Sequence, residues 1–291
     1  MRLAVTFSKV DRCKLSWNYP ENLQALVYRW LAEADGQLAR ALHDRGYVFK
    51  GHRYKLFVYS LLHGEHSKGD REGIELSGQI KWQIASPCIE FMEALALGLL
   101  RLDEVRLEQN RLRLEAVSVP PTPQFSSGRA YLRTLSPIVV STVLEQNGLL
   151  KKRFLAPEDS HFGRVLGENL CRKASLLSVA AEAKIEFEPV KLKSRLFCLH
   201  GTYVRGWEGW FFVEAAPELL QVGYEAGFGE RNGQGFGMVE VVCRRSPGEN
   251  PLPEVDGRNG SEGGIKTAGI EATGGIIESQ KRGVKIEPRW D

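Results

Sequence analysis

Residues 22–34 read Asn22-Leu23-Gln24-Ala25-Leu26-Val27-Tyr28-Arg29-Trp30-Leu31-Ala32-Glu33-Ala34. Leu23, Leu26, Val27, Trp30, Leu31 and Ala34 recur at i, i+3, i+4, i+7, i+8 and i+11, which predicts an amphipathic helix. Before it, Arg2–Ser8 reads as a strand. After it, Gln37–Asp44 predicts a shorter helix carrying Leu38, Ala41 and Leu42 on one face, with Gly46 as its stop signal. Lys55–Leu62 and Ile74–Ala85 read as strands. Ser86-Pro87 offers an N-cap and a first helical residue for an apolar helix ending near Arg101, and Val105–Val119 alternates as further strand. Strand, helix, strand, strand, helix, strand is the order of a ferredoxin-like unit.

The Pro-rich stretch Val119-Pro120-Pro121-Thr122-Pro123 reads as a linker, and the same order recurs beyond it. Tyr131–Val140 reads as a strand, Glu158–Ala174 as a helix, and Glu182–Glu188, Leu196–Val204 and Gly209–Ala215 as strands. A short helix from Pro217 to near Gly223 and a last strand at Phe236–Val242 complete the set. The expected fold class is α+β, with duplicated ferredoxin-like (RRM-like) βαββαβ domains in tandem at residues 1–122 and 123–245. Residues 246–291 turn to Gly, Pro, Ser and mixed charge without periodicity, the composition of a disordered tail.

The chain has 291 residues, 43% hydrophobic and 26% charged, which argues for a folded globular protein and against collagen, coiled coil or global disorder. No run approaches the roughly 18 apolar residues of a membrane span, and the N-terminal strand pattern lacks a signal-like apolar region. A cytoplasmic location without a membrane partner is therefore expected. Cys13, Cys88, Cys171, Cys198 and Cys243 are scattered and never spaced C-x-x-C, which fits a reducing compartment better than a disulfide framework or a zinc site. The net charge is +3, but residues 247–291 hold six Lys/Arg against eight Asp/Glu, so residues 1–246 carry 33 against 28, a net +5. A mildly basic body permits polyanion binding.

The most specific motif is Gly227-Phe228-Gly229-Glu230-Arg231-Asn232-Gly233-Gln234-Gly235-Phe236-Gly237. It lacks the third glycine and the strand-first placement of a dinucleotide fingerprint, and it lacks the Gly-Lys-Ser/Thr of a Walker loop. Glycines with positive φ can bring backbone amides close to phosphate oxygens, and they can equally form a tight turn packed on a sheet. His63 and His66 stand at H-x-x-H spacing in what reads as a solvent-facing loop, without the pattern of a zincin.

Two Gly-Phe-Gly triplets around a five-residue spacer resemble the signature of the CRISPR repeat-processing endoribonucleases of the RAMP superfamily. Leu26-Val27-Tyr28, Leu42-His43-Asp44, Lys55-Leu56-Phe57-Val58-Tyr59-Ser60, Leu135-Ser136-Pro137-Ile138 and the run from Val222 to Glu230 resemble that family's blocks in its order. The resemblance implies cleavage of CRISPR repeat RNA without metal or cofactor, by 2′-hydroxyl attack, leaving a 2′,3′-cyclic phosphate and a 5′-hydroxyl. Its implied partners are precursor and mature guide RNA, with effector-complex subunits as further candidates.

Carried over by position, the catalytic residues are Tyr28, His43 and Lys55, and the loop residues Gly227, Gly229, Arg231, Gly233, Gly235 and Gly237 are RNA-binding candidates. At about 100° per residue, Tyr28 lies about 140° from Leu23 and His43 about 140° from Leu38, off the apolar stripes of their helices. Lys50, His52 and Arg53 lie close to Lys55 in sequence, so any of them could supply the cation. The alternative within the superfamily is a non-catalytic RNA-binding subunit of a CRISPR effector complex.

Overall fold

A computed structural model describes residues 1–146 and 148–242; the expected tail at 246–291 lies outside the described residues. The chain begins with β1 (Arg2–Ser16), α1 (Tyr19–Ala34), α2 (Gly36–Asp44) and a hairpin of β2 (Tyr47–Phe49) and β3 (His52–Tyr54). Then come β4 (Val58–Tyr59), β5 (His63–Gly69), β6 (Gly73–Ala85), α3 (Ile89–Leu100), β7 (Glu104–Leu107) and β8 (Asn110–Ser118). Among the described residues these strands form a sheet in the order β4-β6-β1-β8-β7, with β5 also on β6 and all neighbours antiparallel. Leu3, Val5 and Phe7 of β1 and Ile80, Trp82 and Ile84 of β6 alternate onto one buried face. Against it pack the stripe of α1 and Phe91, Met92, Leu95 and Leu99 of α3, with Trp30 and Trp82 ring centroids 5.3 Å apart.

The second half repeats the plan with β9 (Arg129–Thr134), a hairpin of β10 (Ser141–Gln146) and β11 (Leu149–Phe154), and α4 (Phe162–Leu176). It continues with β12 (Ile185–Leu199), β13 (Thr202–Ala215), α5 (Pro217–Ala226) and β14 (Val239–Val241), in the antiparallel order β12-β13-β9-β14. In both sheets the first strand lies between the third and fourth strands of its unit. The fold is the expected tandem of ferredoxin-like units. Buried polar groups tie the two together. The Arg2 guanidinium donates to the carbonyls of Tyr224 (3.0 Å) and Val239 (2.9 Å), and Ser136 Oγ donates to the Tyr59 carbonyl (3.0 Å) while accepting from the Met238 N–H (2.9 Å).

Several local expectations are corrected. The strand expected at Lys55–Leu62 is regular only over Val58–Tyr59, because Leu56 adopts φ +52 and turns the chain. Ser86-Pro87 does not open α3. Ser86 is buried and its Oγ donates to the Leu56 carbonyl (2.7 Å) and accepts from the Cys88 N–H (3.0 Å), so Cys88 takes the N-cap position and Ile89 starts the helix. Helix α4 starts at Phe162 rather than Glu158, because the Asp159 carboxylate turns the preceding residues by accepting from the His161 N–H. His63 and His66 lie on edge strand β5, not in a loop. The strands expected separately between Glu182 and Ala215 form one long hairpin turning at His200-Gly201, and the hairpin β10–β11 is an addition to the expected order. Pro189 is accommodated because β12 is an edge strand with a bulge there.

Helices α1 and α3 approach so closely that a Cβ at Gly98 would stand 2.1 Å from the Trp30 carbonyl oxygen. Gly98→Ala is expected to destabilise the fold by about 1–3 kcal/mol through this overpacking against backbone. An unchanged thermal midpoint would contradict the described helix contact.

Candidate active site

Three neighbouring elements bring Tyr28, His43 and Lys55 together. Tyr28 lies in the middle of α1, half-buried, where its ring meets His43 edge-on at 5.2 Å between centroids and Phe57 edge-on at 6.0 Å. Burial pushes the phenol up to about 12, so the hydroxyl is held in its neutral, proton-donating form. His43 sits in the last turn of α2, which begins with the Asp35 carboxylate capping the N–H groups of Gln37 and Leu38 and ends where Gly46 takes φ +63. The imidazole is exposed, and its Nδ1 donates to Asp44 Oδ1 at 2.9 Å, which leaves Nε2 for proton exchange.

Lys55 follows β3 and turns back onto the end of α2. Its Nζ donates to the carbonyls of Leu42 and His43, the latter at 2.6 Å, satisfying two of the carbonyls that a helix terminus leaves open. Two of its three N–H groups are thereby used. Burial, aided by Arg53, lowers the ammonium's pKa from the ordinary lysine value, while Asp44 opposes the fall. Of the other candidate cations, Lys50 lies over the Phe49 ring and His52 lies beside the Tyr54 ring.

The glycine-rich segment joins α5 to β14 and passes beside Lys55. Gly227, Gly229, Gly235 and Gly237 have φ between +76 and +86, and Arg231 takes the left-handed value of +60. Added Cβ atoms would meet protein at each of these glycines, the closest being 2.3 Å from the Val139 oxygen at Gly229 and 2.0 Å from the Phe228 oxygen at Gly237. At Gly233 a Cβ would press on Lys55 Cβ and Cγ, both 3.1 Å away, and on Phe57 Cζ at 3.2 Å. These glycines therefore meet the demands of a tight turn packed on the sheet. Arg231 is half-buried, with Nη1 donating to Gln234 Oε1 at 2.9 Å and a buried Nε that has no partner among the described residues.

Lys55, the loop and α4 border a cavity of about 630 Å³. Its lining holds seven Lys and Arg residues, Lys55 and Lys173 with Arg53, Lys152, Arg164, Arg172 and Arg231, against Glu168 and Glu230 as the acidic members. Tyr28 and His43 are not among the lining residues. Glu230 ties one wall to the β10–β11 hairpin, accepting from the Ser141 N–H and from Lys152 Nζ, both at 2.8 Å. Among the described residues, no three His, Cys, Asp or Glu side chains gather in a way that could hold a metal ion. Sequence reasoning missed Asp44 as the partner of His43, although adjacency was its signal, and missed Lys173, whose buried ammonium carries no signal in an Arg-Lys pair on a helix.

Residues 14–118 match the family profile of CRISPR-associated protein Cas6, N-terminal, and residues 120–241 match that of CRISPR associated protein Cas6, C-terminal. The chain is 30% identical over 245 residues to a CRISPR-associated endoribonuclease Cas6 of Methanocaldococcus jannaschii, covering 83% of this chain and 93% of the relative. It is 33% identical over 240 residues to a CRISPR-associated endoribonuclease Cas6 of Pyrococcus furiosus, covering 81% and 87%. A solved structure described as CRISPR associated protein Cas6 superimposes with a TM-score of 0.69 at 30% identity, covering 84% of this chain and 99% of that one.

The Tyr28 environment has a spectroscopic consequence. In an alkaline titration, the difference between wild type and Tyr28→Phe should show no phenolate absorbance at about pH 10, where a free tyrosine is half ionised. A phenolate appearing there would contradict the buried, donor-form tyrosine.

Proposed function

Because the chain belongs to the Cas6 family, we propose that it is a metal-independent endoribonuclease that cuts CRISPR repeat RNA into guide RNAs. The observation that carries this reading is the convergence of Tyr28, His43 and Lys55, with the Tyr28 and His43 rings 5.2 Å apart and the Lys55 ammonium 2.6 Å from the His43 carbonyl. The ribose 2′-oxygen attacks the adjacent phosphorus as its proton leaves to a base, the bond from phosphorus to the 5′-oxygen breaks, and an acid protonates that oxygen. His43 Nε2 serves one of these proton transfers. Tyr28, protonated at neutral pH, donates a hydrogen bond or a proton. Lys55 contributes positive charge toward the phosphorane with its remaining N–H.

The basic cavity beside Lys55 supports repeat RNA as the substrate, since a lining of seven Lys and Arg against two Glu suits a phosphate backbone. Arg231, which lines this cavity, is the loop residue best suited to a phosphate oxygen, with the candidate glycines Gly227, Gly229, Gly233, Gly235 and Gly237 shaping the backbone around it. The domain division at residue 122 gives each half of the chain one wall of this surface. Subunits of an effector complex remain proposed partners for the guide-bound form.

His43→Ala should slow single-turnover cleavage of repeat RNA by about 10²-fold or more with little change in affinity. Cleavage should persist in EDTA and stop when the nucleotide before the scissile phosphate lacks its 2′-hydroxyl. Wild-type rates for the variant, or normal cutting of the deoxy substrate, would contradict this mechanism.

A further inference from the structure

We infer that Lys173 is a positioning residue for cleavage, acting on the site through the glycine-rich loop; this rests on the proposed endoribonuclease reading. Lys173 lies on α4 in the second half, is 2% exposed, and touches none of Tyr28, His43 and Lys55 through its hydrogen bonds. Its Nζ donates to the Gly227 carbonyl (2.7 Å), the Gly229 carbonyl (2.8 Å) and Asn232 Oδ1 (2.7 Å). Three donors meet three oxygen acceptors, which is the full capacity of an ammonium.

The geometry relays this hold in short steps. Asn232, itself buried, donates its Nδ2 to the Phe236 carbonyl at 2.9 Å and the Phe228 carbonyl at 3.3 Å, so the lysine and the asparagine together fix both Gly-Phe-Gly triplets. Between the triplets, Gly233 rests against the Lys55 stem and the Phe57 ring; Gly235, which opens the second triplet, faces Tyr59, where a Cβ would be 2.6 Å from the ring. Lys55 then holds the end of α2 at His43, and Phe57 meets Tyr28. Losing the Lys173 ammonium would leave two buried carbonyls and an amide oxygen without their donor, and the loop would shift where it meets Lys55. Burial lowers the Lys173 pKa to about 7, with Glu230 opposing and Arg172 adding to the fall, so the cation is costly here and its three oxygen acceptors are what favour it.

The test compares full-length wild type, Lys173→Met and Gly233→Ala on a synthetic CRISPR repeat RNA that the wild-type chain binds. Thermal midpoint, dissociation constant and single-turnover rate at saturating protein are measured together. Lys173→Met should stay folded at the assay temperature and bind within about threefold of wild type, yet cut about 10- to 100-fold more slowly, as expected for a small displacement of reacting groups. In a Lys55→Met background the same substitution should add little further loss, because both act on one element.

Gly233→Ala leaves the three Lys173 bonds in place and disturbs the contacts of the loop with Lys55 and Phe57, so it should show the same separation of rate from affinity. Should Lys173→Met fail to fold, Gly233→Ala still tests the step from loop to Lys55 on which the inference depends. A folded Lys173→Met or a Gly233→Ala that cuts at the wild-type rate overturns the inference while leaving the endoribonuclease reading intact. A wild-type chain that binds repeat RNA without cutting it overturns both.

Discussion

Between α5 and β14 the backbone runs through space in which side chains do not fit. A Cβ at Gly229 or Gly237 would stand 2.3 Å or 2.0 Å from a carbonyl oxygen, and one at Gly227 would stand 2.4 Å from Asn232 Nδ2. Such close approach buries peptide groups that need partners. The loop supplies some itself, with the Phe228 N–H donating to the Gly237 carbonyl at 2.8 Å and the Gly237 N–H donating to the Pro137 carbonyl at 2.8 Å. The Glu230 N–H reaches the Val139 carbonyl at 2.8 Å. Lys173 serves the Gly227 and Gly229 carbonyls, and Asn232 those of Phe228 and Phe236. The packed loop touches residues of both halves, so the second ferredoxin-like unit forms a wall for groups held by the first.

The site grows from the same economy of polar groups. Helix α2 is short, and its open carbonyls are met by an ammonium from a residue eleven positions beyond its end, Lys55, rather than by solvent alone. That choice places a cation beside His43 and folds the segment from Tyr54 to Phe57 under Tyr28. A residue in the left-handed region, Leu56, makes the turn possible. Tyr28 gains a raised pKa from burial, and His43 stays exposed with Asp44 orienting its ring. One group is thus kept as a donor while the other remains free to exchange a proton.

Much of this was legible in the residues. The stripe from Leu23 to Ala34 gave α1 its place because a period of 3.6 survives any register of packing, and Leu3, Val5 and Phe7 did the same for β1. The hairpin β10–β11 was hidden because it buries little: Val143, Leu149 and Leu150 are all exposed, so no face of it alternates. The long β12–β13 hairpin does not show as one in the sequence, where Pro189 interrupts β12, which an edge strand tolerates. The composition of the glycine loop was legible, whereas the atoms its missing side chains make room for come from Val139, Tyr59 and Lys55, far away in the chain. Lys173 was illegible for the same reason. Its three acceptors lie 54 to 59 residues onward, and nothing local marks a lysine as buried.

The most direct measurement is the chemistry of the new RNA ends after wild-type protein has cut a repeat RNA in EDTA. Transesterification through the 2′-oxygen leaves a 2′,3′-cyclic phosphate on the upstream fragment and a 5′-hydroxyl on the downstream one, and these are the ends expected. A 3′-hydroxyl with a 5′-phosphate would mean that water, not the ribose, attacked phosphorus, and would contradict the roles given to Tyr28, His43 and Lys55.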